Sequence, residues 1–449
     1  MLNPVVVSVA LVLVMCLLRV NVVIALTTGA LACGLVSGKP FAESISLFSD
    51  GLGGGAKIAL SYAILGAFAS ALAHSGVPEF VMGKAAQLLH LHSKRDGGEF
   101  AMGGDTSIIV AKFVLFASIE LMSIACKNII PVHIAFIPIL IPPLLGVFNG
   151  MGIDRRAVAC IITFGVIVAY MVVPLGFGEI FLMDILSRYL RMNGLEIAPS
   201  TVIRALLFPA ASMAIGLFVA LVRYGKPRHY GESAVKKTEK DGPLSRRDLL
   251  ISCLAIAVAL LVQIAVKEIV LGALAGFLVL SLGGVVRRKD SENVVANGFK
   301  VMSIISFTML AAAGFGYVLQ ASGGIDEIVN WVATRALHSK ALAAFGMLFI
   351  GFLISVGIGS SFSTVPIVAS VYVPLGIKLG FSPSAIAVIV AISGVTGDAG
   401  SPASDSVLGP TMGLNADGQH SLVGDTAIPT FLHIAIPAFL GGWLASILL

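Results

Sequence analysis

The chain has 449 residues, 57% apolar and only 12% charged, with a mean hydropathy of +0.99 and a formal net charge of +5. A soluble domain carries about a quarter charged residues, so a soluble globular fold, a disordered chain and a collagen-like repeat are excluded, and an all-α polytopic membrane protein remains. Cys16, Cys33, Cys126, Cys160 and Cys253 are odd in number and lie in apolar runs, so they read as packing thiols and not as a disulfide framework.

A membrane-crossing helix needs about 20 mostly apolar residues, which predicts spans at 4–18, 21–38, 57–75, 157–174, 201–222, 249–266, 269–286, 301–321, 384–397 and 426–448. The first of these lacks a basic leader and a small-residue cleavage site, so it is expected to remain in the mature chain as a helix. Two further pairs, 107–126 with 130–148 and 341–359 with 365–379, are interrupted by polar, proline-flanked turns and read as re-entrant hairpins or pairs of spans. Segment 223–248 carries Arg223, Lys226, Arg228, Lys236, Lys237, Lys240, Arg246 and Arg247 against four acids, which places it in the cytoplasm. Both termini then lie outside. Without interleaved aromatics this basic run speaks for orientation, and no nucleic-acid partner is expected.

The second half repeats the first. At an offset of 247 residues Gly29 meets Gly276 and Ser75-Gly76 meets Ser322-Gly323; at 235, NIIPVHIAFIP (128–138) meets STVPIVASVYVP (363–374). Each unit, 1–222 and 249–449, holds about five crossings, a paired segment and a broken helix, with 223–248 as the linker. An odd number of crossings inverts the second copy. Two inverted repeats around a midplane site made from interrupted helices are the architecture of secondary transporters, which predicts a non-enzymatic, multi-pass plasma (inner) membrane protein.

Polar residues at membrane depth are costly and mark function, and they fall into four clusters. The first is the turn around Ser123, Lys127, Asn128 and His133; its counterpart holds Ser360, Ser361, Ser363 and Thr364. The third is VPLGFGE, with Gly176, Gly178 and Glu179; the fourth is GVTGDAGSPASDS, with Gly397, Asp398, Ser401, Ser404 and Asp405. Glycine and proline stop the helical ladder there, freeing carbonyls for cations and half-helix N-termini for anions. Asn128, Ser361, Ser363, Thr364 and Asp398 offer the hard oxygens an alkali ion prefers. Asp398 and Asp405 would exchange Na⁺ for H⁺, the bland alternative being solvated acids in a loop. Glu120 is a weaker candidate, and His133 and His433 could simply pack.

GLGGGAK at 51–57 lacks the spacing of a phosphate loop and reads as a flexible lead-in to the third span. Neither metal-ligand spacing nor a G-x-S-x-G elbow occurs, so no cofactor is expected beyond Na⁺ or H⁺ as coupling ion.

GALACGLVSGK, GLGGGAKIALSYAILGAFASALAHSG, IPVHIAFIPILIPPLL at 130–145 and IDRRAVA at 153–159 resemble the NhaC-type Na⁺/H⁺ antiporter family of the ion transporter superfamily over nearly the whole chain. The resemblance implies two inverted repeats, often on a homodimeric scaffold, with an ion or small polar solute held between hairpin tips and helix breaks. It includes relatives that look like amino-acid permeases, so a Na⁺- or H⁺-coupled permease for an amino acid or small carboxylate stands as the alternative to a Na⁺/H⁺ antiporter. The family's first tip usually reads Ser-Gln-Asn, where this chain has Cys126-Lys127-Asn128. The lysine either occupies a cation's place with its own ammonium or snorkels away.

Overall fold

The computed structural model describes residues 3–76, 92–93, 100–101, 105–128, 133–231, 245–266, 268–327 and 339–449. These are helical apart from turns and a two-residue antiparallel pairing of His92–Ser93 with Phe100–Ala101. The first half contains α1 (Pro4–Leu17), α2 (Val22–Val36), α3 (Phe41–His74), α4 (Asp105–Asn128), α5 (His133–Gly150), α6 (Arg155–Val172), α7 (177–192) and α8 (Pro199–Arg223). The second contains α9 (Arg246–Val266), α10 (Ile269–Leu282), α11 (Arg288–Ala321), α12 (Lys340–Ile358), α13 (Ser361–Lys378), α14 (Pro383–Asp398), α15 (Asp405–Leu414) and α16 (Leu422–Leu448). Nine helices among the described residues are long and apolar enough to cross a membrane. Their outer faces are apolar: Phe113 and Leu121 on α4, Phe218 and Val222 on α8, and Leu250 and Ile264 on α9 stay exposed, as lipid-facing side chains do.

Local chemistry sets the helix starts. Asn3 caps α1 through Val5 N–H and Val6 N–H with Pro4 in the first turn, and Ser382 caps α14 with Pro383 in the same place. The centre of the packing is α14, in which every residue from Ala385 to Asp398 is buried. A helix apolar all round belongs in an interior.

Three predicted boundaries are corrected: the third span begins at Phe41 and not at 57, the span predicted at 301–321 begins at Arg288, and a further helix lies at 177–192. The glycine run at 51–57 is no flexible lead-in but lies inside α3, which is 34 residues long, as α11 is. Its glycines are contact surface: a Cβ on Gly51 would stand 2.8 Å from Gly314 Cα, and one on Gly55 2.9 Å from the Met309 carbonyl. Further along, Gly66 faces Gly298, and Ser306 donates to the Ala59 carbonyl at 3.1 Å. As the number rises on α3 it falls on α11, so the two helices cross antiparallel with their backbones in close approach. The third correction is α7, a helix over 177–192 that its charges, Glu179, Asp184, Arg188 and Arg191, concealed from a hydropathy reading. Four cysteines are buried as expected, whereas Cys253 is exposed on α9.

At the end of the molecule nearest the basic linker, α6 is fastened to the loop between α15 and α16. Arg155, fully buried, donates to both carboxylate oxygens of Asp417 at 2.7 and 2.6 Å, to the Leu414 carbonyl at 2.9 Å and to Asn149. Arg228 bridges Asp154 and Asp425, and Gly231 N–H donates to Gln419 Oε1. The IDRRAVA motif is therefore a clamp between the halves.

Glycine packing and this clamp each give a test. Gly298→Ala drives a methyl to within 2.3 Å of the Gly66 carbonyl oxygen, backbone that cannot turn aside, and should cost about 1–3 kcal/mol of stability. Gly53→Ala on α3 meets nothing within 4 Å and should be neutral or stabilising in the same melt. In the clamp, His420 is 1% exposed, and burial holds its imidazole below the ordinary value, at about 4. The unfolded chain takes up that proton near pH 6.5, so stability is complete above pH 6.5 and falls by about 1.4 kcal/mol per unit towards pH 4. Thermal unfolding in detergent across that window should show the decline, and His420→Gln should flatten it.

Candidate functional site

The two interrupted helices and the second hairpin tip meet in the interior. Helix α6 stops at Val172 and the chain resumes as α7 after Gly176, whose φ of +56° is in the range only glycine tolerates freely. Gly178 keeps the break tight, since a Cβ there would overlap the Val173 carbonyl. In the second half α14 ends at Asp398 and α15 begins at Asp405. Across the two, Tyr170 pairs with Asp398, Thr163 donates to the Ser406 carbonyl, and Arg155 to that of Leu414, so α6 and the α14–α15 segment run antiparallel. The α12–α13 turn, at Gly359 (φ +68°), is pressed onto Ala403, and Gly397 onto Ser355, contacts a side chain at either glycine would block.

Asp398, 3% exposed, is the most heavily bonded group there. Its Oδ2 accepts from Tyr170 Oη and Ser361 Oγ, each at 2.7 Å, and its Oδ1 accepts from Ser361 N–H at 3.0 Å. Ser361 is the first residue of α13, so the carboxylate sits at that helix's N-terminus, where the unpaired N–H groups and the helix dipole favour an anion. Asp405 holds the corresponding place on α15. It accepts from Tyr62 Oη of α3 at 3.2 Å and faces Lys127 Nζ at 3.9 Å. Lys127 is 2% exposed, and its ammonium also lies 5.4 Å from the centre of the Tyr170 ring and 5.0 Å from that of Phe177, within cation–π range. Snorkelling is thus overturned: the lysine points inward, where a half-buried carboxylate and two aromatic faces receive it. Phe181 and Phe362 complete the aromatic wall around Tyr170.

The other expected residues are distributed unevenly. Ser401 donates to the Val356 carbonyl and Ser404 caps α15 through Ser406 N–H, so both shape the break. Thr364 is buried and bonds back to the Ser360 carbonyl, the ordinary habit of a helical threonine. Ser363 is exposed, two residues from Ser361 and so on another side of α13. Ser123 is buried and bonds back to the Ile119 carbonyl. Glu179 is exposed just past the first break. The side chains of Asn128 and His133, and the tip at 129–132, lie outside the described residues. His433 stacks edge-on against Tyr224 at 5.4 Å, a packing role.

Sequence reasoning passed over Tyr62 and Tyr170. Their signal was available: a phenol inside an apolar helix needs a partner for its hydroxyl, and Tyr170 comes three residues before the break.

Removing one donor from a buried carboxylate costs about 1–3 kcal/mol, so Tyr170→Phe or Ser361→Ala should reduce the apparent affinity for the transported ion roughly five- to 100-fold. Both should leave the protein monodisperse. Ser363→Ala, outside the bonded set, should transport as the parent does in the same flux assay.

A model of the Na⁺/H⁺ antiporter family matches residues 161–443, and a second Na⁺-H⁺ antiporter family model matches residues 3–89. An uncharacterized membrane protein of Vibrio parahaemolyticus is 47% identical over the full length of both chains. YuiF of Bacillus subtilis, provisionally named an amino acid transporter, is 43% identical over the full length of both. Among solved structures, the YdaH transporter of Alcanivorax borkumensis aligns over 99% of this chain and 98% of its own at 14% identity and a TM-score of 0.46.

Proposed function

The chain belongs to the Na⁺/H⁺ antiporter family and is a multi-pass plasma-membrane transporter, and from that premise we propose that it exchanges a monovalent cation for protons at the Asp398–Asp405 pair. One observation carries this reading. The half-helix N-terminus of α13, which could receive a substrate's carboxylate, is already taken by the chain's own Asp398, and the first turn of α15 carries a second acid, Asp405. Two acids against one lysine leave the cluster a place for positive charge. A cation arriving at Asp405 competes with Lys127, and protons compete with it for both carboxylates, so only one kind of charge is held at a time. That competition is the requirement of exchange. Asp398, Asp405, Ser361 and the hydroxyls of Tyr62 and Tyr170 would supply the oxygens.

Alternating access follows if 1–222 and 249–449 are inverted repeats. The reading is supported by the order of elements: three helices, a hairpin, a broken helix and one more helix occur in each half. It is supported further by α3 and α11, which occupy equivalent places and cross antiparallel. The approach of Gly66 to Gly298, transposed by the 247-residue offset, becomes that of Ala313 to Gly51, which are also in contact. A pair of contacts related in this way, with direction reversed, is what a two-fold axis perpendicular to the helices, in the membrane plane, would produce.

A second reading has one observation in its favour. Lys127 beside Asp405 presents opposite charges together, as a zwitterion would require, which fits an amino-acid permease. Proteoliposomes distinguish the two. Addition of Na⁺ should move protons across the membrane, and Asp398→Asn should abolish that movement; accumulation of labelled amino acid without Na⁺-driven proton movement would replace the first reading by the second. Lys127→Gln should introduce or strengthen Na⁺ dependence, because a neutral amide removes the competing ammonium and offers an oxygen. The measurement is proton flux against Na⁺ concentration at fixed pH and membrane potential, and an active variant with an unchanged Na⁺ response would show that Lys127 does not compete.

A further inference from the structure

Below the Lys127 cluster, the seam between α4 and α6 holds a carboxyl group that the exchange site does not use. Both oxygens of Glu120 are shut off from solvent and have no hydrogen-bond partner among the described residues. Across the seam stands Gly165, where a Cβ would come within 2.9 Å of Glu120 Oε1. The glycine makes room for the carboxyl and offers it nothing. Ser123, the next residue along this face, spends its hydroxyl on the Ile119 carbonyl. Lys127 is seven residues on, about 10 Å along the axis at 1.5 Å per residue, and it faces Asp405.

Among the described residues, no other ionisable group on the elements packed here bonds to Glu120. On α6 they are Cys160 and Tyr170, with Arg155 and Arg156 at the far end; at the start of α7 there is Glu179. Arg155 is held by Asp417, Arg156 by Asp154 and Tyr170 by Asp398. On α5 there is His133, whose side chain lies outside the described residues, and α4 itself adds Asp105, Lys112 and Cys126.

A charge at the centre of a membrane helix costs at least ~2.5 kcal/mol, and an unpaired buried charge is among the most destabilising features a protein can carry. A proton removes that charge where no partner can. Glutamine would fill the same space without the penalty, so packing alone does not account for an acid here. The position is informative too: Gly165, which Glu120 faces from α4, lies on α6 between the Arg155 end, beside the basic linker, and Tyr170 at the exchange site.

We propose that Glu120 is a second proton-binding site of the transport cycle, loaded and unloaded from the cytoplasmic side and distinct from the Asp398–Asp405 pair. This rests on the proton-coupled reading above. The step is a proton transfer alone: the neutral acid gives up H⁺ to become a carboxylate and regains it in the next half-cycle.

The test begins with infrared spectroscopy of the purified, reconstituted protein, which sees a protonated carboxyl directly and needs no substrate. A carboxylic-acid C=O band should be present at neutral pH, should move when all glutamates carry ¹³C, and should be missing from Glu120→Gln. In proteoliposomes that variant should exchange radioactive sodium between Na⁺-equal compartments at close to the parent's rate, yet move protons roughly ten-fold more slowly. A band unmoved by the label, or a Glu120→Gln protein with the parent's band and proton flux, overturns the proposal. Should that variant fail to fold, the label shift in the unmodified protein decides the question. Absence of Na⁺-driven proton movement from the unmodified protein would instead overturn the antiporter reading, while the band reports on Glu120 independently.

Discussion

A buried carboxylate must be paid for by its neighbours, and at Asp398 three donors from two other elements do so at once. Tyr170 comes from the end of α6, Ser361 from the first turn of α13, and the acid itself from the end of α14. Helix α13 begins where they meet, and extending it backwards would consume the Ser361 N–H that the carboxylate accepts from. Gly359 against Ala403 and Gly397 against Ser355 bring the backbones close enough for Ser361 N–H to reach Asp398.

The two aspartates differ. Asp398 is closed in and accepts at 2.7–3.0 Å, whereas Asp405 accepts from the Tyr62 and Ser406 hydroxyls at 3.2 Å, has a side chain 19% exposed and faces a lysine 3.9 Å away. The tightly bonded acid fixes the geometry of the meeting point. The looser one, bordered by a mobile-length side chain and two aromatic faces, is where a competing cation costs least to admit. Lys127 brings a positive charge to the pair, and its contact with the Tyr170 ring places it beside the side chain whose hydroxyl holds Asp398.

Much of this was legible in the sequence because membrane depth makes polar residues conspicuous. Asp398, Ser361 and Lys127 stood out as breaches of an apolar pattern, and glycine and proline marked where helices stop. What hydropathy could not convey was the use to which a glycine is put. The run at 51–57 reads as flexibility, yet in α3 it provides the surface on which α11 lies, a distinction that exists only once the partner helix is known. Helix α7 was missed for the opposite reason, since its acids and arginines interrupt the apolar run while its backbone stays helical. Ser363 and Thr364 show the limit of composition: four hydroxyls in five residues look like one ligand set, but a helix turns them to different sides, and only Ser361 reaches an aspartate.

The clamp at the other end of α6 completes the mechanical argument. Arg155 holds Asp417 and the Leu414 carbonyl, so α6 and α15 are joined near the basic linker as well as through Tyr170 and Asp398. The breaks lie between or beyond these fastenings. On the exchange reading, a change of charge at Asp398 or Asp405 would bear on the inner attachment and leave the outer one in place, and the segment 399–404 between α14 and α15 has no helical ladder to resist rotation. Occupancy of the acids and the angle between the helices that carry them would then be one variable. That coupling is what a transporter needs for an ion at its centre to determine which side of the membrane it faces.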